Sequence, residues 1–272
     1  MLLLALPRRA VPRYLLAVSA AHPLRLVRRL GAGGHVVEAH DAIAEEAPLE
    51  IRARGAVVAT ILRTPGHDLE LVRGFLHAEG KAGALVTAGP DAVDVDLDPA
   101  GFTPRAVASV AACGACGRER LDDLVAHARP VPGATDARVA AGWLLALPEV
   151  LRAQQPGFAA TGGLHAAALV SMGGGLLVAR EDVGRHNAVD KVIGWGLEHG
   201  VDFAACALML SGRLGFELVL KAATAGVPVV AAVSAPSSLA LDVAARFGVT
   251  AVAFAREGRA SVYTHPARVA TA

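Results

Sequence analysis

Residues 206–256 read CALMLSGRLGFELVLKAATAGVPVVAAVSAPSSLALDVAARFGVTAVAFAR. Three short apolar runs, CALML, VPVVAAV and VTAVAFA, alternate with two segments whose apolar residues recur at helical spacing, FELVLKAATAG and SSLALDVAARFG. Short apolar runs bounded by Gly and Pro read as buried strands. A glycine closes each helical segment, and Ser237 or Ser238 supplies the oxygen that caps the second. Strand–helix alternation of this kind predicts a three-layer α/β/α sandwich with a largely parallel sheet.

The pattern continues on both sides. Downstream, EGR and ASVYT close a strand pair with VTAVAFAR. Upstream, LHAAALVS, the turn MGGG and LLVARED read as a hairpin, followed by the helix NAVDKVIGWGLEHG, capped by Asn187 and ended by Gly200. VAAGWLLAL and EVLRAQQ read as helix on either side of Pro148. Nearer the N-terminus, PLEIRARGAVVATIL alternates, breaks at Gly55 and resumes, which predicts strand, turn, strand. DLELVRGFLHAEG has helical spacing ended by Gly80, and AVDVDLD alternates as a half-exposed strand. The expected organisation is a basic flexible extension over residues 1–38, a smaller β-rich N-terminal lobe over 39–130, and the α/β/α lobe over 131–272.

Charge supports that division. Residues 1–37 hold six arginines and no acid, although the whole chain is only +1. A signal-peptide reading of this segment is interrupted by Pro7, Pro12 and Arg13, and a transit-peptide reading fits its arginines but not its scarcity of serine. The rest of the chain is mildly acidic, which argues against a nucleic-acid-binding surface. Hydrophobic residues reach 54 %, but no run of eighteen exists, so a membrane-spanning protein is not expected. Lysine is scarce, at positions 81, 191 and 221 only.

The cysteines narrow the chemistry. Cys113 and Cys116 stand three apart in AACGACGRER, and Cys206 lies in an apolar strand, where cysteine is usually a small buried hydrophobe. A structural zinc site needs four ligands, and one pair supplies two. A thioredoxin-like pair should open a helix in a βαβ context. A sulfur carrier needs an exposed thiolate on a pliant backbone, which the flanking glycines, Arg118 and Arg120 would provide.

Other constellations lie at strand ends. TGGLHAA (161–167) would let a ligand approach the backbone beside His165. REDVGRHNAVDKVIG (180–194) crowds polar residues around one helix start, which suits anion binding or a buried polar network. The turn FAREGR (254–259) carries Arg256 and Arg259, which suit the phosphates of a nucleotide. In an open α/β fold such turns gather at the carboxyl edge of the sheet, where ligands bind.

Taken in order, CGACG, TGGLHAAAL, REDVGRHNAVDKVIG, SGRLGFELVLKAATAGVPVVAAVSAPSSLALDVA and YTHP resemble the FdhD family, the accessory sulfurtransferases of formate dehydrogenase, over about residues 40–268. The resemblance implies a cytidine-deaminase-like fold without zinc. It implies a sulfur carrier that takes persulfide sulfur from a cysteine desulfurase and passes it to the molybdenum cofactor, bis-molybdopterin guanine dinucleotide, before insertion into formate dehydrogenase. Cys113 would carry the sulfur and Cys116 would match the second cysteine. Phe254, Ala255, Arg256, Glu257, Gly258 and Arg259 would form the cofactor-contacting turn, with Glu217 or Asp182 available to guanine. Ala253 stands where glycine is expected. The expected setting is the cytoplasm, as a homodimer, with a desulfurase and formate dehydrogenase as partners and neither nucleic acid nor membrane. The competing readings are a zinc-dependent deaminase-like hydrolase, whose P-C-x-x-C motif is spoiled by Ala112, and a nucleotide-binding chaperone indifferent to loss of Cys113.

Overall fold

The computed structural model describes residues 22–102, 128, 130–131 and 138–270. The decisive segment folds into β10 (Cys206–Leu210), α5 (Phe216–Ala225), β11 (Val229–Ala232), α6 (Ser238–Phe247) and β12 (Thr250–Arg256). The pairs β10–β11 and β11–β12 are parallel. Every residue of β10 and β11 is buried, because helices cover both faces, so these strands read as continuous apolar runs rather than alternating ones. Ser237 caps α6, its hydroxyl accepting from the Ala240 N–H at 3.3 Å.

The sheet is not largely parallel. β8 (His165–Ser171) runs antiparallel to β10, β9 (Leu176–Asp182) antiparallel to β8, and β13 (Arg259–Val262) antiparallel to β12. The strand order is β13-β12-β11-β10-β8-β9. Both outer pairs are joined by tight turns, and a tight turn permits only antiparallel neighbours. On one face lie α4 (Arg185–Glu198), α5 and α6, packed on Leu169, Leu208, Leu210 and Val230. On the other, α2 (Ala141–Arg152) packs Leu144, Leu147 and Leu151 against Ala168, Met209 and Val252.

Two helix expectations are corrected. Pro148 does not divide two helices: α2 runs through it. Leu144, Leu147, Pro148 and Leu151 are all buried on one stripe, and that burial outweighs the loss of one backbone hydrogen bond. Asn187 is not the cap of α4, which starts at Arg185 with Gly184 in the capping position. The Asn187 amide instead crosses to the N-terminal lobe, donating to the Leu62 carbonyl at 2.8 Å.

In the N-terminal lobe β3 (Ala47–Ala53), β4 (Ala56–Arg63), β5 (Leu85–Gly89) and β6 (Ala92–Val95) form a sheet of order β4-β3-β6-β5. α1 (Asp68–Ala78) buries Leu71, Val72 and Leu76 with Leu49, Ile51 and Val93. Its other side lies against α4 in backbone contact. A Cβ on Gly74 would stand 2.0 Å from the Asp190 carbonyl oxygen, and one on Gly194 would stand 1.8 Å from that of Glu70. Glycine at both points lets the two lobes share this helix pair.

The folded part also begins earlier than residue 38. β1 (Leu24–Leu30) and β2 (Val36–Ala42) form an antiparallel hairpin, braced by Arg28–Glu38 and Arg29–Asp41 ion pairs. Arg25, Arg28 and Arg29 sit on β1, which is exposed along nearly its whole length, and Arg28 and Arg29 find their acidic partners, Glu38 and Asp41, beyond the acid-free stretch 1–37. A short helix, α3 (Pro156–Thr161), follows α2, and β7 (Val139–Ala140) pairs in parallel with β14 (Val269–Ala270). Among the described residues no helix is long and apolar enough to cross a membrane.

Candidate functional site

A cavity of about 380 Å³ opens where β8 begins and β10 to β12 end. Its lining includes Arg152 at the end of α2 and Gln155 beyond it, Gly163 just before β8 and His165 at its start, Ser211 after β10, and Arg256 at the end of β12. The TGGLH and FAREGR stretches, about ninety residues apart in the chain, thus meet on one wall. Ser211 is held by accepting the Ala166 N–H at 2.8 Å. His165 is kept below its usual pKa by burial first and then by Arg185 and Arg213, which outweigh Asp182. It is therefore neutral at pH 7, able to donate from one nitrogen and accept at the other.

The 254–259 turn has a specific shape. Pairing of β12 with β13 slips between Ala253 and Arg256, and Phe254 sits there in the left-handed region at φ 52°. Bulges of this kind re-aim a side chain, and here Arg256 lines the cavity. Glu257 and Gly258 follow at φ 52° and 70°, the positive pair that a two-residue hairpin turn requires. Arg259 is opposite Arg256 in register, but its guanidinium is exposed and bonded to Glu257 at 2.9 Å. Ala253 and Ala255 are fully buried, so the Ala253 methyl faces the protein interior rather than the cavity.

The 180–194 motif resolves as a buried network, not an anion site. Lys191 Nζ lies 2.7 Å from Asp182 Oδ2 and donates to the Thr64 carbonyl at 2.9 Å. Asp182 also accepts from the N–H groups of Thr64 and Gly184 and from the Asn187 amide. With four donors and no exposure, Asp182 has nothing left for a guanine, which removes it from that expected role. Arg180 holds Glu70 of α1 through two bonds of 2.7 and 2.8 Å, and Glu181 accepts the Gly157 and Phe158 N–H groups that start α3. Lys221 pairs with Asp190 at 2.6 Å. His186 Nε2 lies 3.4 Å from Glu217 Oε2.

Cys113 and Cys116 lie outside the described residues. Cys206 is buried, and burial pushes its thiol up to about 11, so it is the small hydrophobe its strand implies. Among the described residues no three His, Cys, Asp or Glu groups gather so as to hold a metal. One H-x-E triplet exists, His77-Ala78-Glu79, and the hydrolase reading would need it as a metal-binding element. It ends α1, with His77 Nε2 3.3 Å from the Thr224 carbonyl. Sequence reasoning passed over Arg152 and Gln155, whereas Ser211 opens the SGRLGFE stretch already quoted. The only signal for the first two was the polar ending RAQQ of an otherwise apolar helix, which is also how a solvated helix end looks.

Fold and site define a mixed α/β protein with a smaller β-rich lobe, clamped together by its densest motif and open at one strand-end edge to an arginine-lined cavity. The chain belongs to the FdhD/NarQ family, whose model matches residues 44–270. It is 44 % identical over 269 residues to the sulfur carrier protein FdhD of Mycobacterium tuberculosis, covering 90 % of this chain and 97 % of that one. The protein of the same description from Anaeromyxobacter dehalogenans strain 2CP-1 / ATCC BAA-258 is 44 % identical over 260 residues, covering 84 % and 88 %. A crystal structure described as that of a formate dehydrogenase accessory protein from Desulfotalea psychrophila superposes with a TM-score of 0.75 at 25 % identity. It covers 92 % of this chain and 100 % of that one.

Proposed function

We propose that this protein is a cytoplasmic sulfurtransferase. It takes persulfide sulfur from a cysteine desulfurase on Cys113 and delivers it to bis-molybdopterin guanine dinucleotide, bound at the strand-end cavity, before insertion into formate dehydrogenase. The observation that carries this reading is the family membership over nearly the whole chain together with relatives described as sulfur carriers. The cavity supports it, since Arg152, Arg256 and His165 present cations and a neutral imidazole to a phosphate-bearing ligand. The likeness to cytidine deaminases belongs to the same proposal.

The chemistry balances without an added oxidant in its first step. The Cys113 thiolate attacks the outer sulfur of the desulfurase persulfide, that sulfur–sulfur bond breaks, and the desulfurase thiolate leaves. The Cys116 thiolate then attacks Cys113 Sγ. Hydrosulfide leaves with the bonding electron pair toward the substrate, and a Cys113–Cys116 disulfide remains for a cellular dithiol to reduce. Arg118 and Arg120 favour the thiolate forms.

Intact mass after incubation with a desulfurase and cysteine tests this. Wild type is expected to gain one reductant-sensitive sulfur atom, Cys113→Ala none, and Cys116→Ala to load but release slowly. Cys113→Ala that still loads sulfur and activates formate dehydrogenase fully would overturn the carrier mechanism.

A further inference from the structure

The β1–β2 hairpin turns its apolar side to solvent. Strand alternation puts Leu24, Leu26, Arg28 and Leu30 on one face, together with their cross-strand partners Ala42, His40, Glu38 and Val36. The opposite face carries Arg25, Arg29 and Asp41. An antiparallel ribbon with one solvated face normally exposes its charges and buries its apolar side. Here the charged face is the partly covered one, with Val27, Ala39 and Asp41 half-buried. The leucine face is open: Leu24 and Leu26 are each 63 % exposed, Leu30 80 % and Val36 55 %. Half of the exposed large apolar side chains among the described residues lie between Leu24 and Ile43.

The hairpin is seated on the body at its base. A Cβ on Gly157 of α3 would stand 3.2 Å from His22 Nε2, and one on Gly163 would stand 3.0 Å from the Ala44 Cβ. Beyond that base, β1 and β2 pair only with each other among the described residues. A lone two-stranded hairpin is marginal in water. An apolar face gathered on one element marks a contact surface.

The charges on that face decide what covers it. Arg28 and Glu38 lie side by side at 3.4 Å, between Leu26 and Leu30, and their side chains are 76 % and 60 % exposed. A two-fold axis parallel to the strands and midway between them sets Arg28 of each copy on Glu38 of the other, and Leu30 on Val36. Four charges then alternate in sign around the axis, with apolar contacts on either side of them. The face is complementary to itself, as a contact between identical copies requires. An unlike partner would have to reproduce the same pattern. We infer that this face pairs the chain with a second copy of itself, the two hairpins stacked leucine face to leucine face.

Analytical ultracentrifugation of the full chain tests the pairing. Wild type is expected to sediment at twice the 27.7 kDa chain mass. Leu24→Ser/Leu26→Ser/Leu30→Ser should raise the dissociation constant of the dimer by about 100-fold or more. Circular dichroism melts check that the body of each variant is folded. Arg28→Glu and Glu38→Arg should each weaken self-pairing by roughly 10-fold, because like charges then face each other across the axis. Mixed in equal amounts, these two variants should form a heterodimer, and Arg28→Glu/Glu38→Arg should pair with itself as wild type does. That charge-swap pattern separates pairing through this face from a hairpin that merely fails to form. A monomeric wild type overturns the inference, as does a dimer that the leucine and charge variants leave intact. A chain that pairs only after residues 1–21 are removed also overturns it, by giving the face to the chain's own N-terminal segment.

Discussion

Replacing Gly194 by alanine should separate the two lobes where they touch most closely. The new methyl would meet the Glu70 carbonyl oxygen at 1.8 Å, its carbon at 2.7 Å and the Gly74 nitrogen at 2.9 Å. Van der Waals contact lies near ~3.5 Å, so α1 and α4 must part by about 1.5 Å, a gap that forfeits much of the dispersion between them. No side chain can swing aside, because the obstacle is backbone. Movement of Glu70 also disturbs its paired bonds to Arg180. Overpacking costs ~1–3 kcal/mol, and a backbone obstacle belongs at the upper end. Alanine's better helix propensity returns ~1 kcal/mol. The expected net loss is ~2 kcal/mol, which lowers a urea midpoint by ~0.7 M at a slope of ~3 kcal/mol/M. Tryptophan emission and far-ultraviolet circular dichroism report the transition. Gly196→Ala is the control, since its methyl meets the Phe203 ring at 2.7 Å, a side chain able to shift. A Gly194→Ala midpoint equal to or above wild type would refute the backbone-contact argument.

The buried network predicts that Lys191→Met, which strands Asp182 without its cation, destabilises by ~3–5 kcal/mol, whereas Lys191→Met/Asp182→Asn costs less; thermal melts compare them. Stability should fall as pH drops from about 6.5 toward about 3, because burial first, then Lys221, Arg185 and His165, hold His186 at about 3 and keep it neutral when the unfolded chain is protonated. Burial disfavours the Glu70 carboxylate, but bonds from His67 and Arg180 prevail and hold it at about 2, so its contribution is present above pH 4.5 and lost as pH falls toward 2. His186→Asn should flatten the upper of these slopes and Glu70→Gln the lower, in urea titrations across pH. In the cavity, GDP is expected to bind more tightly than ADP, and Arg256→Ala to weaken GDP by roughly 1–3 kcal/mol; equal affinity for the two nucleotides would remove guanine recognition.

Much of the fold was legible because strands and helices announce themselves locally. The 206–256 segment shows both periods within a few residues, and the MGGG and EGR turns mark hairpins. The 180–194 motif marked a special place but left its role open. Charged residues beside a helix start look alike whether they bind an anion or one another. The choice depends on Thr64 and Leu62, more than a hundred residues away. Arg152 was illegible for a similar reason, since a polar helix end is ordinary until a cavity forms beside it.

By itself, then, the sequence determined the order and kind of most elements, the hairpin turns and the motifs that place the chain in its family. All of these are written in residues close along the chain. Only the tertiary structure decided that the sheet is mixed and that the N-terminal hairpin begins at Leu24. It also decided that Asp182 and Lys191 neutralise each other, and that Arg152 and Arg256 line one cavity with His165. Those outcomes depend on which distant surfaces meet, as α1 meets α4 at Gly74 and Gly194, and local periodicity carries no record of such meetings.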